Sequence, residues 1–280
     1  MRRALIIVWF LFVAGVCVAL AAQNPQQAQP PKPQPLVGQQ TIPQAQTPAT
    51  PQTQAPPAHI LRVVVLDPAH GGADTGARGP SGAAEKDLVL EFARIVRDAL
   101  RAQGFQVVMT RQDDTDPSFD DRATIANAQS DAIFISLHIG STGPAGTVRT
   151  YTYLFPAAPT AAMPNPAAGQ TQSGNTLMQP VTAPPGFLLW TEAQKPYTPQ
   201  SRKLGDLLQV ELAQKFKGSP EISSSVPVYE LRSVAAPAVA VEISNIAADS
   251  QQLEAMAPVL ADEIARAVVA YKTIYPPEGK

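Results

Sequence analysis

Hydrophobic and polar residues follow two periodicities from about residue 60 onward. Short apolar, β-branched runs predict buried strands, and apolar residues at every third or fourth position predict amphipathic helices. The predicted strands are 61–66, 105–110, 132–137, 147–155, 226–231 and 238–241. The predicted helices are 85–103, 119–129, 199–216 and 251–271. Because strands alternate with helices, we predict a single three-layer α/β domain, whose twisted, mostly parallel or mixed sheet of about six strands is flanked by helices.

The first 58 residues follow neither periodicity. Residues 1–22 combine two arginines, an apolar run and small residues at its end, which is typical of a secretory signal peptide, with an uncleaved membrane anchor as the alternative. Residues 23–58 are mainly glutamine and proline, with Lys32 as their one charge, and are predicted to be a disordered linker. The chain is therefore expected to be exported to the periplasm, the cell envelope or the medium. It would contact a membrane only if its N-terminal segment stays uncleaved.

The predicted catalytic domain, residues 59–275, is interrupted by a low-complexity insertion at 156–198. The insertion is rich in proline, alanine, glycine, threonine and glutamine. A loop of this length in a compact domain is usually functional or disordered. Its strongly apolar patch includes Phe187 and Trp190, which either pack on the core or form a flap over a substrate site.

Charge and cysteine content exclude several classes of function. The formal net charge of −2 argues against a nucleic-acid partner, because such proteins neutralise phosphates with an excess of cations. The single cysteine excludes an intrachain disulfide framework and a zinc cluster built from thiolates.

Two histidines follow predicted strands that would lie in one sheet. His70 comes shortly after the first strand, and His138 comes directly after the third. Ligands of open α/β sheets bind at the carboxyl ends of the strands, so these side chains are expected to converge. Two histidines and a carboxylate are a common catalytic zinc set, and Glu85 is the natural third candidate. The local sequence leaves open that Glu85, like Asp87, only complements the dipole of the helix that it begins.

A second carboxylate, Glu242, ends an apolar run in which an unpaired buried charge would be costly. Either it pairs with a cation, such as Arg232, or it serves the site as a general base.

Four short motifs occur in order along the chain, each in its own strand or helix context. They are Asp67-Pro68-Ala69-His70-Gly71-Gly72, Glu85-Lys86-Asp87, Ser136-Leu137-His138 and Val241-Glu242. Together they resemble the motifs of the zinc-dependent N-acetylmuramoyl-L-alanine amidases of cell-wall remodelling. The resemblance covers roughly residues 61–271, apart from the insertion.

The resemblance implies an enzyme that hydrolyses the amide between N-acetylmuramic acid and L-alanine in peptidoglycan. It assigns one Zn²⁺ per chain to His70, Glu85 and His138. It also assigns Glu242 as the general base and acid that acts with a zinc-activated water. Asp67 would then support a histidine from outside the ligand set, unless it is only a turn residue.

Some positions depart from the family pattern. Ala69 replaces a usual glycine, and the segment after Glu242 is shortened to Ile243-Ser244-Asn245. These departures leave two alternatives open, namely a non-catalytic peptidoglycan-binding module of the same fold and a zinc hydrolase for a different amide. The sequence identifies no activator protein.

Overall fold

The computed structural model describes residues 59–79, 82–156, 188–244 and 250–275. Its strands are β1 (Val63–Pro68), β2 (Gln106–Met109), β3 (Ala132–Ile139), β4 (Val148–Tyr153), β5 (Ser224–Val226) and β6 (Ala238–Ile243). Its α-helices are α1 (Glu85–Ala102), α2 (Phe119–Asn127), α3 (Thr198–Lys215) and α4 (Ser250–Lys272). Three 3₁₀ turns cover Trp190–Glu192, Lys195–Tyr197 and Tyr229–Leu231.

The strands form one mixed sheet in the order β2-β1-β3-β6-β4-β5. The strands β2, β1, β3 and β6 are mutually parallel, whereas β4 runs antiparallel to β6 and parallel to β5. The register pairs His138 of β3 with Glu242 of β6. The prediction of an α/β fold with a mixed sheet of about six strands and flanking helices is confirmed.

The two faces of the sheet are covered by unequal layers. Alternate strand residues, such as Leu66, Ile135 and Val241, pack against α1, α3 and α4. The other face, which includes Val65 and Phe134, packs against α2 and the turn at Tyr229–Leu231. Because side chains alternate along a strand, Asp67, His138 and Glu242 lie on this second face. Its covering helix has only nine residues.

The strand predicted at 226–231 is wrong. Here β5 ends at Val226, and Tyr229–Leu231 is a 3₁₀ turn. Pro227 has no N–H to extend the ladder, and the Val228 N–H donates back to the Val226 carbonyl over 2.8 Å. The turn carries Glu230 to the site described below.

Strands β1, β3 and β6 each end two residues later than predicted. Consequently Asp67, His138 and Glu242 lie inside β1, β3 and β6 rather than after them.

The predicted signal segment 1–22, the linker 23–58 and most of the insertion 156–198 lie outside the described residues. In the four ranges that are described, no helix combines the length and apolar character that crossing a bilayer requires.

Candidate metal centre

Three side chains from separate elements converge at the carboxyl edge of the sheet. His70 follows β1, Glu85 begins α1, and His138 lies in β3, with potential ligand atoms all within 4.8 Å of one another. The Glu85 carboxylate lies between the two rings. Its Oε2 is 3.2 Å from His70 Nε2, and its Oε1 is 3.2 Å from His138 Nδ1. The structure thus brings together the three residues that were predicted from the sequence to be metal ligands.

The loop that carries His70 has an unusual backbone. His70 has a φ of 61°, a left-handed conformation that non-glycine residues rarely adopt. The next residue, Gly71, has a φ of 137°, and a Cβ there would lie 1.9 Å from the Thr115 carbonyl oxygen. Ala69 is not among the residues with positive φ, so its backbone conformation does not require the glycine that the family resemblance leads us to expect there.

Two buried arginines hold this loop by its carbonyl groups. Arg111 donates to the carbonyl oxygens of Pro68 and Ala69, both over 2.8 Å. Arg122 donates to the carbonyls of Pro68 and His70, over 3.0 and 2.9 Å. These charged donors fix the path of the backbone on either side of the histidine. Their roles were not predicted, because neither arginine is close to the loop in sequence.

The Asp67 carboxylate contacts three polar side chains. Its carboxylate accepts hydrogen bonds from Thr110, from Ser136 over 2.9 Å and from Arg122, with which it also forms a buried ion pair. The outer nitrogen of His70, Nδ1, instead lies 2.8 Å from Asp74 Oδ2. The carboxylate beside the outer nitrogen of His70 is therefore that of Asp74. Their separation of four residues did not predict this contact, because that spacing brings side chains together on a helix and both residues lie in the loop after β1.

Glu85 is oriented by the backbone as well as by the histidines. The amides of Ala77 and Ile139 donate to its two carboxylate oxygens, over 2.8 and 2.9 Å. Burial by itself would raise the pKa of Glu85. Hydrogen bonds from His138, His70 and the Ala77 amide outweigh burial and hold the pKa well below its usual value. Glu85 is therefore a carboxylate throughout the physiological range.

His138 lies between two carboxylates. Its Nδ1 faces Glu85, and its Nε2 is 2.9 Å from Oε1 of Glu230. Burial opposes the charged ring, but hydrogen bonds to Glu230 and Glu85 prevail and raise the pKa of His138 to about 10. The hydrogen bond to Glu85 raises the pKa of His70 too, against burial. The sequence did not predict this role for Glu230, because Glu230 is distant from His138 along the chain and falls within the strand predicted at 226–231.

These residues fit a zinc ion. Two imidazole nitrogens and one carboxylate make up a common catalytic zinc set. Each histidine also directs its outer nitrogen to a second carboxylate, as metal-binding histidines typically do. Three carboxylates, those of Asp74, Glu85 and Glu230, lie against the two rings, and this arrangement favours a positive charge at the centre.

Glu242 lies beside this centre, half-buried in β6. Its neighbours in the ladder are His138 of β3 and Arg149 of β4. A Cβ on Gly140 would lie 2.8 Å from Glu242 Oε1, so the glycine leaves room for the carboxylate. Burial raises the pKa of Glu242, while the charges of His138 and Arg149 act in the opposite direction.

Arg232, the cation considered as a partner of Glu242, lies elsewhere. Its guanidinium is 5.7 Å from the centroid of the Tyr229 ring. The cations whose charges act on Glu242 are instead His138 and Arg149.

A cavity of about 450 Å³ opens beside the histidines, lined among others by His70, His138, Glu230 and Phe119. Trp190, 44% exposed, donates from its indole Nε1 to Asp120 in α2 over 2.8 Å. Phe187 lies outside the described residues. A flap that contains Phe187 and Trp190 therefore stays a prediction.

Comparisons with a family model and with curated proteins point to the same family. The family model described as N-acetylmuramoyl-L-alanine amidase matches residues 64–270. The amidase AmiA of Escherichia coli (strain K12) is 48% identical over 84 residues, which are 30% of this chain and 29% of the relative. AmiC of Neisseria meningitidis serogroup B is 41% identical over 76 residues, 27% of this chain and 18% of the relative. The matched segment is therefore less than a third of the length of either relative.

Solved structures share the fold. An N-acetylmuramoyl-L-alanine amidase from Clostridium difficile 630 aligns with a TM-score of 0.53 at 23% identity, over 78% of this chain and 100% of the other. The amidase Ami1 from Mycobacterium smegmatis aligns with a TM-score of 0.54 at 19% identity, over 78% of this chain and 99% of the other.

Proposed function

Because the chain belongs to the N-acetylmuramoyl-L-alanine amidase family, we propose that it is an exported, zinc-dependent amidase of peptidoglycan. The bond cleaved would be the amide between the lactyl group of N-acetylmuramic acid and L-alanine. The observation that carries this proposal is the cluster of His70, Glu85 and His138, with Glu242 beside it across the β3–β6 ladder.

His70, Glu85 and His138 would hold the metal, one ion per chain. A zinc ion bound there would supply Lewis acidity, which would activate a water molecule and polarise the substrate carbonyl. Glu85 is suited to this role because its negative charge is maintained by four hydrogen-bonding partners.

Glu242 would move the proton. As a general base, its carboxylate accepts a proton from the attacking water, and it then returns that proton to the leaving amine nitrogen of L-alanine. Burial supports this role, since it raises the pKa of the carboxyl and makes it a better proton acceptor. The neighbouring cation Arg149 favours the ionised form that must be present before the reaction starts.

Export is the part of the proposal that rests on residues 1–22. Their positive start and apolar run are typical of a signal peptide, and peptidoglycan lies outside the cytoplasmic membrane.

The test is hydrolysis of purified peptidoglycan by the zinc-loaded protein, followed by mass spectrometry of the soluble products. Three proteins are compared: the wild type, Glu242→Gln and the surface control Glu221→Gln, which removes the same charge at an exposed position. We expect stem peptides with a free N-terminal L-alanine from the wild type and the control. The rate of Glu242→Gln should be about 10²- to 10⁴-fold lower, the usual contribution of a general base.

Each other outcome identifies an alternative. Equal rates in all three proteins would refute Glu242 as the base and leave the reaction class in place. Bound zinc without release of stem peptides would indicate a different amide as substrate. Neither zinc nor product would favour the non-catalytic peptidoglycan-binding module.

A further inference from the structure

Glu230 is a buried carboxylate that the proposed mechanism does not use. It lies in the 3₁₀ turn between β5 and β6, and its residue surface is 9% exposed. Its Oε1 lies 2.9 Å from Nε2 of His138. A buried carboxylate is costly unless it is paired, so this contact is where its charge is satisfied.

The contact lies on the outer side of the imidazole. Glu85 faces Nδ1 of His138, whereas Glu230 faces Nε2, across the ring. The cluster of potential ligand atoms within 4.8 Å of one another contains His70, Glu85 and His138 and does not extend to Glu230. Glu230 is therefore placed to act on the metal through His138 rather than as a ligand.

We propose that Glu230 is a positioning residue, which accepts a hydrogen bond from Nε2–H of His138 and so reserves the Nδ1 lone pair for the metal. This inference rests on the proposed function, because it requires His138 to be a metal ligand. Fixing the proton on Nε2 selects one tautomer of the neutral ring, and the hydrogen bond also fixes the ring's orientation.

The second histidine has the same arrangement with its nitrogens exchanged. His70 directs Nδ1 to Asp74 and Nε2 to Glu85. The two ligands are consequently held in opposite tautomers, with His70 protonated on Nδ1 and His138 on Nε2. The Asp74 side chain is 54% exposed and that of Glu230 only 11%, so water competes less for the contact at Glu230.

Zinc affinity tests the inference without reference to catalysis. The full chain is titrated with zinc in competition with a chromophoric chelator, for the wild type, Glu230→Leu, Glu230→Gln and the exposed control Glu221→Gln. Glu230→Leu removes the acceptor at similar side-chain size and should weaken zinc binding by about 10- to 100-fold, as expected for the loss of such a partner. The amide oxygen of Glu230→Gln can still accept from Nε2–H, so its loss should be smaller. The control should match the wild type.

The outcomes separate this inference from the proposed function. A wild type that binds no zinc would overturn the metal site itself, and the role of Glu230 with it. Zinc bound equally tightly by the wild type and by folded Glu230→Leu would overturn the role of Glu230 alone. If Glu230→Leu fails to fold, the zinc affinity of Glu230→Gln, compared with that of the Glu221→Gln control, tests the role of Glu230. Weaker binding than in the control supports the role, and equal binding overturns it.

Nitrogen NMR of the zinc-loaded wild type, labelled at histidine nitrogens, provides a readout that a merely structural role would not produce. We expect His138 to be protonated on Nε2 and zinc-bound through Nδ1, and His70 to show the reverse. Coordination of His138 through Nε2 would overturn the inference.

Discussion

Replacing Arg122 with methionine should destabilise the domain far more than most single substitutions do. Its guanidinium forms an ion pair with Asp67, and the two side chains are 3% and 2% exposed. It also donates to the carbonyl oxygens of Pro68, His70 and Pro117. Methionine keeps an apolar stem of comparable length but removes the charge and every one of these donors.

The magnitude follows from the charge that is left behind. Removing one partner of a buried ion pair typically costs about 3–5 kcal/mol, because the other charge stays buried without compensation. Asp67 would keep the hydroxyl groups of Thr110 and Ser136 as donors, which reduces the penalty. The lost bonds to carbonyl groups act in the opposite direction. We therefore expect the free energy of unfolding to fall by about 4 kcal/mol, a large part of the roughly 5–15 kcal/mol of a typical domain.

Urea unfolding of the metal-free protein, combined with a double-mutant cycle, measures this effect. In the Asp67→Asn background the buried charge is absent, so Arg122→Met should cost only about 2 kcal/mol there. Arg122→Lys should lie between the wild type and Arg122→Met, because it keeps the charge and loses the planar fork. A loss below about 1 kcal/mol for Arg122→Met would refute the reasoning. So would equal losses in both backgrounds, since independent sites add to within about 0.5 kcal/mol.

Three further predictions concern other parts of the site. Gly140→Ala should lower peptidoglycan hydrolysis by about 10- to 100-fold, because its Cβ would displace the Glu242 carboxylate. It should change the free energy of unfolding by less than about 1 kcal/mol, since that carboxylate can swing away, and a matching loss of stability would contradict this explanation. Ser118→Ala should cost about 1 kcal/mol in urea unfolding, because Ser118 closes a capping box with Asp121 at the start of α2, and an unchanged midpoint would show that the cap contributes nothing. Zinc at about one hundred times its Kd should raise the free energy of unfolding of the wild type by about 2.7 kcal/mol, and a chelator should reverse this gain. Neither zinc nor the chelator should change the free energy of unfolding of His138→Ala.

The central parts of the fold and site could be predicted because their signals are local. Apolar runs predicted five of the six strands, and the positions of His70, Glu85 and His138 close to the ends of elements indicated their convergence. The strand predicted at 226–231 failed because a single proline inside an apolar run outweighed its β propensity.

The residues around the candidate ligands were missed for a different reason. Arg122 reaches Asp67 from a separate helix, and Glu230 reaches His138 from a separate turn. Only the completed sheet brings these pairs together, and neither residue differs in its local sequence from an ordinary surface charge. Arg149 was missed in the same way, because its relation to Glu242 depends on the antiparallel register of β4 and β6.

His138 and Glu242 are paired across β3 and β6. The spacing of these two strands therefore sets the separation between the candidate metal centre and the candidate base. Adjacent strands lie about 4.8 Å apart, and β3 and β6 are both interior strands of the sheet. A slip of one residue would turn Glu242 to the opposite face, so the spacing cannot drift by small steps. The spacing between His138 and Glu242 therefore persists for as long as the central ladder does. Hydrogen exchange at the β3 and β6 amides would give the free energy of opening this ladder, which is also the free energy of separating His138 from Glu242.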